Sequence, residues 1–521
     1  MNQSIKVFDR LNEAKKLIDA GNLDQARKVN ASILAARPGN TAAWLQASRL
    51  EGLAGHYRLA RDHALRAFAG LGGQERGGVV HMLRRLQSFN LGGEIIRLVD
   101  SLDDASLNPQ MADAIATALN HLNQPTRAID IIDRGLRMAP DSIELRLTRA
   151  HTLVFLGRLD EAEAEMDRCM QRVPEIGFGW WTLSRLRKQR PDANHVDAIR
   201  RQVGLSAQNP ANLTFLAYAL HKEFDDLGDY AEATKALDLA CRTRRAHIPY
   251  SSDETRRIFE GLSRIGDSTT AHGIDASRTP VFILGMHRSG TTLLEQLLDG
   301  HSRVSGLGEL YEFTAQMRYA TDHGCKGVID SKLVARADAV DYEAVGRGYL
   351  DSIEWRCGPE SHFIDKLPSN FLNIGFICRA LPHARILHMV RDPMETCFSN
   401  LREYFADNTN HYSYNRTELG EFFNHYRQLM AHWHRAFPGR IMDVHYSRLT
   451  SDTANTLRDV AQFCGLEFEE AMLDLQGSAR AVTTASAVQV RQGVVALEKP
   501  RWLPYSDYLL PLSDVLADGA G

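Results

Sequence analysis

The stretch Thr279-Pro-Val-Phe-Ile-Leu-Gly285-Met-His-Arg-Ser-Gly290-Thr-Thr-Leu-Leu-Glu-Gln-Leu-Leu-Asp299-Gly-His-Ser-Arg-Val-Ser-Gly-Leu-Gly-Glu309 decides how the C-terminal half of this 521-residue chain is read. Pro280 to Gly285 is a short apolar run that predicts a buried strand. The chain then turns through Gly285 to Gly290 into a segment whose leucines at 293, 294, 297 and 298 share one helical face, with Gly300 as a stop signal. A glycine turn that opens a helix gathers unpaired backbone N–H groups at the positive end of the helix dipole, so it suits an anion. A phosphate-like group is therefore expected here. At this point a turn that needs glycine only for its shape remains an alternative.

Gly285 and Gly290 have the spacing of an ATP-binding P-loop, but Thr291 stands where that motif carries lysine. Arg288 supplies a planar cation instead, with His287 beside it and the hydroxyls of Ser289, Thr291 and Thr292 close by. This loop resembles the phosphosulfate-binding loop of sulfotransferases, which use 3′-phosphoadenosine 5′-phosphosulfate (PAPS). The resemblance implies that residues 287–292 hold this co-substrate and that adenosine 3′,5′-bisphosphate is the product.

A second signal is Ala384-Arg-Ile-Leu-His-Met-Val-Arg391-Asp-Pro-Met-Glu-Thr-Cys-Phe-Ser399. An apolar strand runs out at Arg391, Asp392 can cap the following helix and Pro393 suits its first turn. Arg391 then lies at a strand's carboxyl end, where open α/β sheets bind ligands, with Ser399 along the helix. This pair resembles the 3′-phosphate motif of sulfotransferases. Further segments resemble the tyrosylprotein branch of that family and the bacterial repeat-containing enzymes. His362-Phe-Ile-Asp-Lys366 ends a strand with a lysine for the sulfonate. Asp443-Val-His-Tyr446 brings a tyrosine to the nucleotide. Thr483 to Arg491 together with Lys499-Pro-Arg501 matches a closing C-terminal loop. By that resemblance Glu309 is the general base, Arg288, Lys366 and Ser486 assist catalysis, and Tyr446, Ser486, Gln489, Arg491 and Arg501 contact the nucleotide. Glu312 is the nearest rival to Glu309. Lys366 could instead pair with Asp365 or another carboxylate, and Tyr446 could be a core edge.

His301, His362 and His388 are bases by residue type, but none follows the loop as well as Glu309 does. His432 and His434 flank Trp433 on a predicted helix and point to different faces, a poor pair of metal ligands. With no HExxH and no cysteine cluster, no metal is expected, and transfer without magnesium follows.

The N-terminal half repeats itself. Gly21-Asn-Leu-Asp-Gln-Ala26 recurs as Gly55-His-Tyr-Arg-Leu-Ala60, and Asn123-Gln-Pro-Thr-Arg-Ala128 recurs as Gly157-Arg-Leu-Asp-Glu-Ala162, each 34 positions on. A degenerate copy is expected around Phe89, and a later one at Gly228. The pattern resembles the tetratricopeptide repeat, with Ala26, Ala60, Ala128 and Ala162 as close helix contacts and Pro38, Pro140 and Pro174 ending helices. The fold class expected is thus an all-α tetratricopeptide-like solenoid over 1–246, a helical linker over 247–274, a P-loop-like α/β sulfotransferase domain with a mostly parallel sheet over 275–515, and a tail over 516–521. Such arrays commonly offer a groove to a peptide. A dimerisation surface and a brace for the catalytic domain are the other roles.

A net charge of −4 provides no overall basic field, which argues against nucleic acid. Lys6, Asp9, Arg10, Glu13 and Lys15 interrupt any secretory signal near the start, and no apolar run has the length of a membrane span. Seven scattered cysteines without a CxxC pair read as reduced thiols, so a cytoplasmic setting is expected. The function expected is sulfonate transfer from PAPS to a hydroxyl, with a protein or peptide tyrosine as leading acceptor. A carbohydrate, a small phenol, or an inactive scaffold with a protein-binding array are the alternatives.

Overall fold

The computed structural model describes residues 2–71, 78–103, 106–266, 278–406, 409–475, 488, 493 and 499–519. From Asn2 to Ala246 the described residues are almost entirely helical, and successive helices pack in pairs. The second helices of four repeats begin at Leu23, Tyr57, Pro125 and Leu159, reproducing the 34-residue offset. Ala26, Ala60, Ala128 and Ala162 are fully buried, as the small contact positions of closely packed helices must be. Within each repeat the turn is made by a left-handed residue: Gly21, Gly55, Asn90, Asn123 and Gly157 all have positive φ. Glycine adopts that conformation freely and asparagine is among the few other residues that tolerate it. The degenerate copy near Phe89 is therefore a true repeat, with Asn90 at its turn. The helices before Pro38, Pro140 and Pro174 end at Ala36, Met138 and Arg172.

The C-terminal half is built on five strands: β1 (Thr279–Gly285), β2 (Val304–Gly306), β3 (His362–Lys366), β4 (Arg385–Val390) and β5 (Ile441–His445). They lie in the order β2-β3-β1-β4-β5, and every pair is parallel. β1 is buried on both faces, which explains its continuous apolar run. Val281 and Ile283 pack with Leu294, Leu297 and Leu298 of the helix Thr291–Asp299. Phe282 and Leu284 face the other way, into a core that continues without a break into Leu216, Tyr218 and Leu237 of the array.

The sequence places strands close to β1, β3, β4 and β5 and treats His301–Gly308 as loop. That loop contains β2, whose three residues are too few to show a period of two. After β3 the chain forms a 3-10 segment over Pro368–Asn373 followed by an α-helix from Ile374 to Ala380. Asn370 turns back to Asp365 there. None of the seven cysteines is in a disulfide, and among the described residues no helix is long and apolar enough to cross a membrane.

Candidate active site

β1 sits at the point where the strand order reverses, between β3 and β4, and a parallel sheet opens a crevice at the carboxyl ends of such strands. Each functional segment leaves the sheet there. The Gly285–Gly290 loop follows β1, Glu309 follows β2, Lys366 ends β3, Arg391 follows β4 and Tyr446 follows β5.

Within the loop Arg288 has φ of +68°, a strained conformation for a side-chain-bearing residue and one that clusters at functional sites. Its Nε donates to Ser399 Oγ at 3.2 Å, and its Nη1 lies 3.7 Å from Glu403. Burial draws the Arg288 pKa down to about 10, with Glu403 opposing the shift. The carbonyl of Arg288 accepts from Arg391 at 3.1 Å. Gly290 precedes the helix with φ of +109°, and no side chain caps that helix. A Cβ on Gly290 would lie 2.5 Å from the Tyr446 ring, so only glycine lets the tyrosine close against the loop. Arg391 stacks over the same ring at 4.4 Å and pairs with Glu395 at 3.1 Å. Glu395 also accepts from the Arg501 backbone at 2.6 Å, which brings Arg501 to this cluster. Asp392 caps the helix Pro393–Leu401 through Glu395 N.

On the other side of the crevice Lys366 is fully buried, with its Nζ 2.8 Å from Glu309 and 3.7 Å from Glu295. Burial works against the ammonium, yet the two carboxylates hold its pKa above the ordinary lysine value. Burial pushes the Glu295 carboxyl up to about 7 against the pull of Lys366. Asp365 is not the partner of Lys366. As the neighbouring strand residue it points to the opposite face, where it accepts from Tyr349 and Asn370. Glu309 is 34% exposed at the mouth, whereas Glu312 is buried in an ion pair with Arg356 at 3.0 Å.

Three further observations bear on a phosphosulfate ligand. The hydroxyl of Ser289 is buried and has no hydrogen-bond partner among the described residues, although buried polar groups are normally satisfied. Thr291 and Thr292 are buried beside it. Arg288, Lys366 and Arg391 place three cations at the carboxyl ends of adjacent strands. The unsatisfied Ser289 hydroxyl and these cations fit an anionic group.

Residues 280–470 match the sulfotransferase family model. This region is a sulfotransferase-family domain. An uncharacterized protein of Aquifex aeolicus is 26% identical over 408 residues, which cover 76% of this chain and 53% of its own length. Protein-tyrosine sulfotransferase 1 of Danio rerio is 22% identical over 240 residues, 41% of this chain and 62% of that protein. The chain thus spans between about half and two thirds of these curated relatives. Among solved structures, the sulfotransferase from Alicyclobacillus acidocaldarius is 15% identical and covers 46% of this chain and 95% of its own, at a TM-score of 0.28.

In the sulfotransferase domain Arg288, Ser399 and Arg391 form one connected group, and Lys366 with Glu309 forms another. His287 packs edge-on against Phe405 and approaches Ser369. Ser486, Gln489 and Arg491 lie outside the described residues. The histidines have other partners: His301 bonds the Glu467 carbonyl and His362 the Cys464 carbonyl. His388 lies between Asp443 and Tyr426, and His434 reaches the same Asp443 oxygen. Against burial, the two imidazoles bring Asp443 down to about 2. His434 is therefore grouped not with His432 but with residues of β4 and β5, an association that spacing along one helix could not show. Hydrogen bonding accounts for this group.

The sequence reading missed Glu295, Glu403 and Arg185. Glu295 had a signal, a carboxylate amid leucines on a buried helix. Glu403 lies between Arg288 and Arg185, 2.9 Å from the latter, and Arg185 belongs to the array helix Gly177–Leu186. No local pattern links those residues.

Proposed function

We propose that the sulfotransferase domain transfers the sulfonate of PAPS to an acceptor hydroxyl, and that the acceptor is a tyrosine of a protein or peptide. The observation that carries this reading is the convergence of Arg288, Lys366 and Arg391 with one partly exposed carboxylate, Glu309, at the strand ends. When bound, PAPS supplies the sulfonate and leaves as adenosine 3′,5′-bisphosphate. The loop from His287 to Thr292 would hold the phosphosulfate, Arg391 with Ser399 the 3′-phosphate, and Tyr446 and Arg501 the nucleotide. Arg288 and Lys366 would offset negative charge that grows in the transition state, which preorganised cations do at little cost in reorganisation. Lys366 can turn one N–H from Glu309 to an incoming oxyanion because Glu295 still compensates its charge. Glu309 is then free to accept the proton of the acceptor hydroxyl. The tyrosine acceptor draws support from the relation to protein-tyrosine sulfotransferase, and the neighbouring array offers a place for a protein substrate. The division into array, linker and catalytic domain near residue 275, and a cytoplasmic setting, belong to the same proposal.

Calorimetry with adenosine 3′,5′-bisphosphate tests the nucleotide assignment. Charge-assisted hydrogen bonds contribute roughly 1.5–3 kcal/mol each, so Arg391→Ala should weaken binding by about one to two orders of magnitude. Equal affinity in wild type and variant would remove Arg391 from the site.

A further inference from the structure

The array touches the sulfotransferase domain through the turns of its repeats, and two of those turns differ from the rest. Where the repeats at 21, 55 and 157 carry glycine, those at 90 and 123 carry asparagine in the same left-handed conformation, with φ of +54° and +58°. Both asparagines use their amides on the other domain. Asn123 Nδ2 donates to the Leu307 carbonyl at 2.6 Å, and Asn90 Nδ2 to the Tyr311 carbonyl at 3.3 Å. These two carbonyls flank Glu309, two residues to either side. We propose that Asn90 and Asn123 are positioning residues that clamp the turn carrying Glu309, so that the repeat array sets the aim of the catalytic carboxylate.

The surroundings make this a rigid bracket. Gly308 has φ of +78°, and a Cβ there would lie 2.1 Å from the Asn123 amide, so the array presses directly on the turn. From behind, Gly308 N donates to Glu295 at 3.0 Å, and its carbonyl accepts from Lys366 N at 3.0 Å. Each asparagine turn is also anchored independently. Arg356 donates to the Leu122 carbonyl at 2.9 Å, and the Trp355 ring lies against Gly92 and Gly93. The preceding turn docks further along, where Arg58 bonds Asp322 and the Tyr319 carbonyl. Three successive repeat turns therefore follow the segment from Leu307 to Asp322, and only at the Glu309 end is glycine replaced by a hydrogen-bonding side chain.

This inference rests on Glu309 being the base, and its test separates the two claims. Asn90→Gly and Asn123→Gly install the residue that the sister turns use, so the turn conformation survives while the amides are lost. With both changes in the full chain, kcat should fall by about tenfold or more, since small misplacements of a reacting group are costly. Affinity for adenosine 3′,5′-bisphosphate and the thermal midpoint should stay near wild type. In a Glu309→Gln background the same pair should have no further effect on kcat. Normal turnover by the asparagine variant, or an equal fall in the Glu309→Gln background, would overturn the clamp while leaving the base in place. Normal turnover by Glu309→Gln alone would overturn the base and the clamp with it.

Discussion

Glu309→Gln is expected to lower the turnover of sulfonate transfer by about 10²-fold or more while nucleotide affinity stays nearly unchanged. The substitution keeps size and hydrogen bonding but removes basicity. Lys366 would retain Glu295 at 3.7 Å, so the buried ammonium is not left without a counter-charge and folding should tolerate the change. The rival carboxylate is already engaged: Glu312 is buried against Arg356, which also bonds the array at Leu122. Glu312→Gln should accordingly weaken folding rather than chemistry, visible as a lower thermal midpoint with nearly normal turnover in the folded fraction. Steady-state kinetics beside melting curves for both variants distinguish these outcomes. Near-normal turnover of Glu309→Gln, with folded but inactive Glu312→Gln, would move the base to Glu312.

Removing residues 1–246 is expected to abolish the cooperative thermal transition of the remainder and, with it, binding of adenosine 3′,5′-bisphosphate. Tyr218 of the array bonds the Leu401 carbonyl, Asp225 pairs with Arg402 at 2.5 Å, and Arg245 pairs with Glu418 at 2.7 Å. The most consequential loss is Arg185. Glu403 is buried between Arg185 and Arg288, and without Arg185 its charge would fall on Arg288 alone, the cation proposed to meet the sulfonate. Losing these cross-domain pairs together draws on the roughly 5–15 kcal/mol that stabilises a typical protein. Loss of the shared apolar core adds to this. The sequence leaves the array's role open among groove, dimer surface and brace, and the packing supports the brace. Calorimetry on the truncated chain decides: a folded domain with undiminished nucleotide affinity would return the array to acceptor selection alone.

What was legible in the sequence were features that recur locally. Apolar runs broken by glycine or a charge marked β1, β3, β4 and β5, and the residues just after those breaks are the ones that meet in the crevice. The 34-residue offset was visible because small residues must recur wherever helices pack closely. Three-residue β2 was too short to declare itself. The contacts from Asn123 to Leu307 and from Arg185 to Glu403 join residues roughly two hundred positions apart, and no periodicity carries such information. Glu295 was readable as an anomaly, a carboxylate on a leucine face, but its partner Lys366 was not. Arg391 and Ser399 were read as a pair acting on one phosphate. Folding also links each of them to Arg288, one through its carbonyl and the other through its guanidinium, a contact no local pattern announces.

The most direct test is to incubate the full chain with PAPS and a hydroxyl-bearing acceptor pool rich in tyrosyl peptides. Mass spectrometry then follows both adenosine 3′,5′-bisphosphate and the mass of the acceptors. The expected result is release of adenosine 3′,5′-bisphosphate matched by sulfonation of tyrosine, with both slowed about 10²-fold or more in Glu309→Gln. PAPS left intact by the folded chain, with no acceptor gaining the mass of a sulfonate, would contradict it.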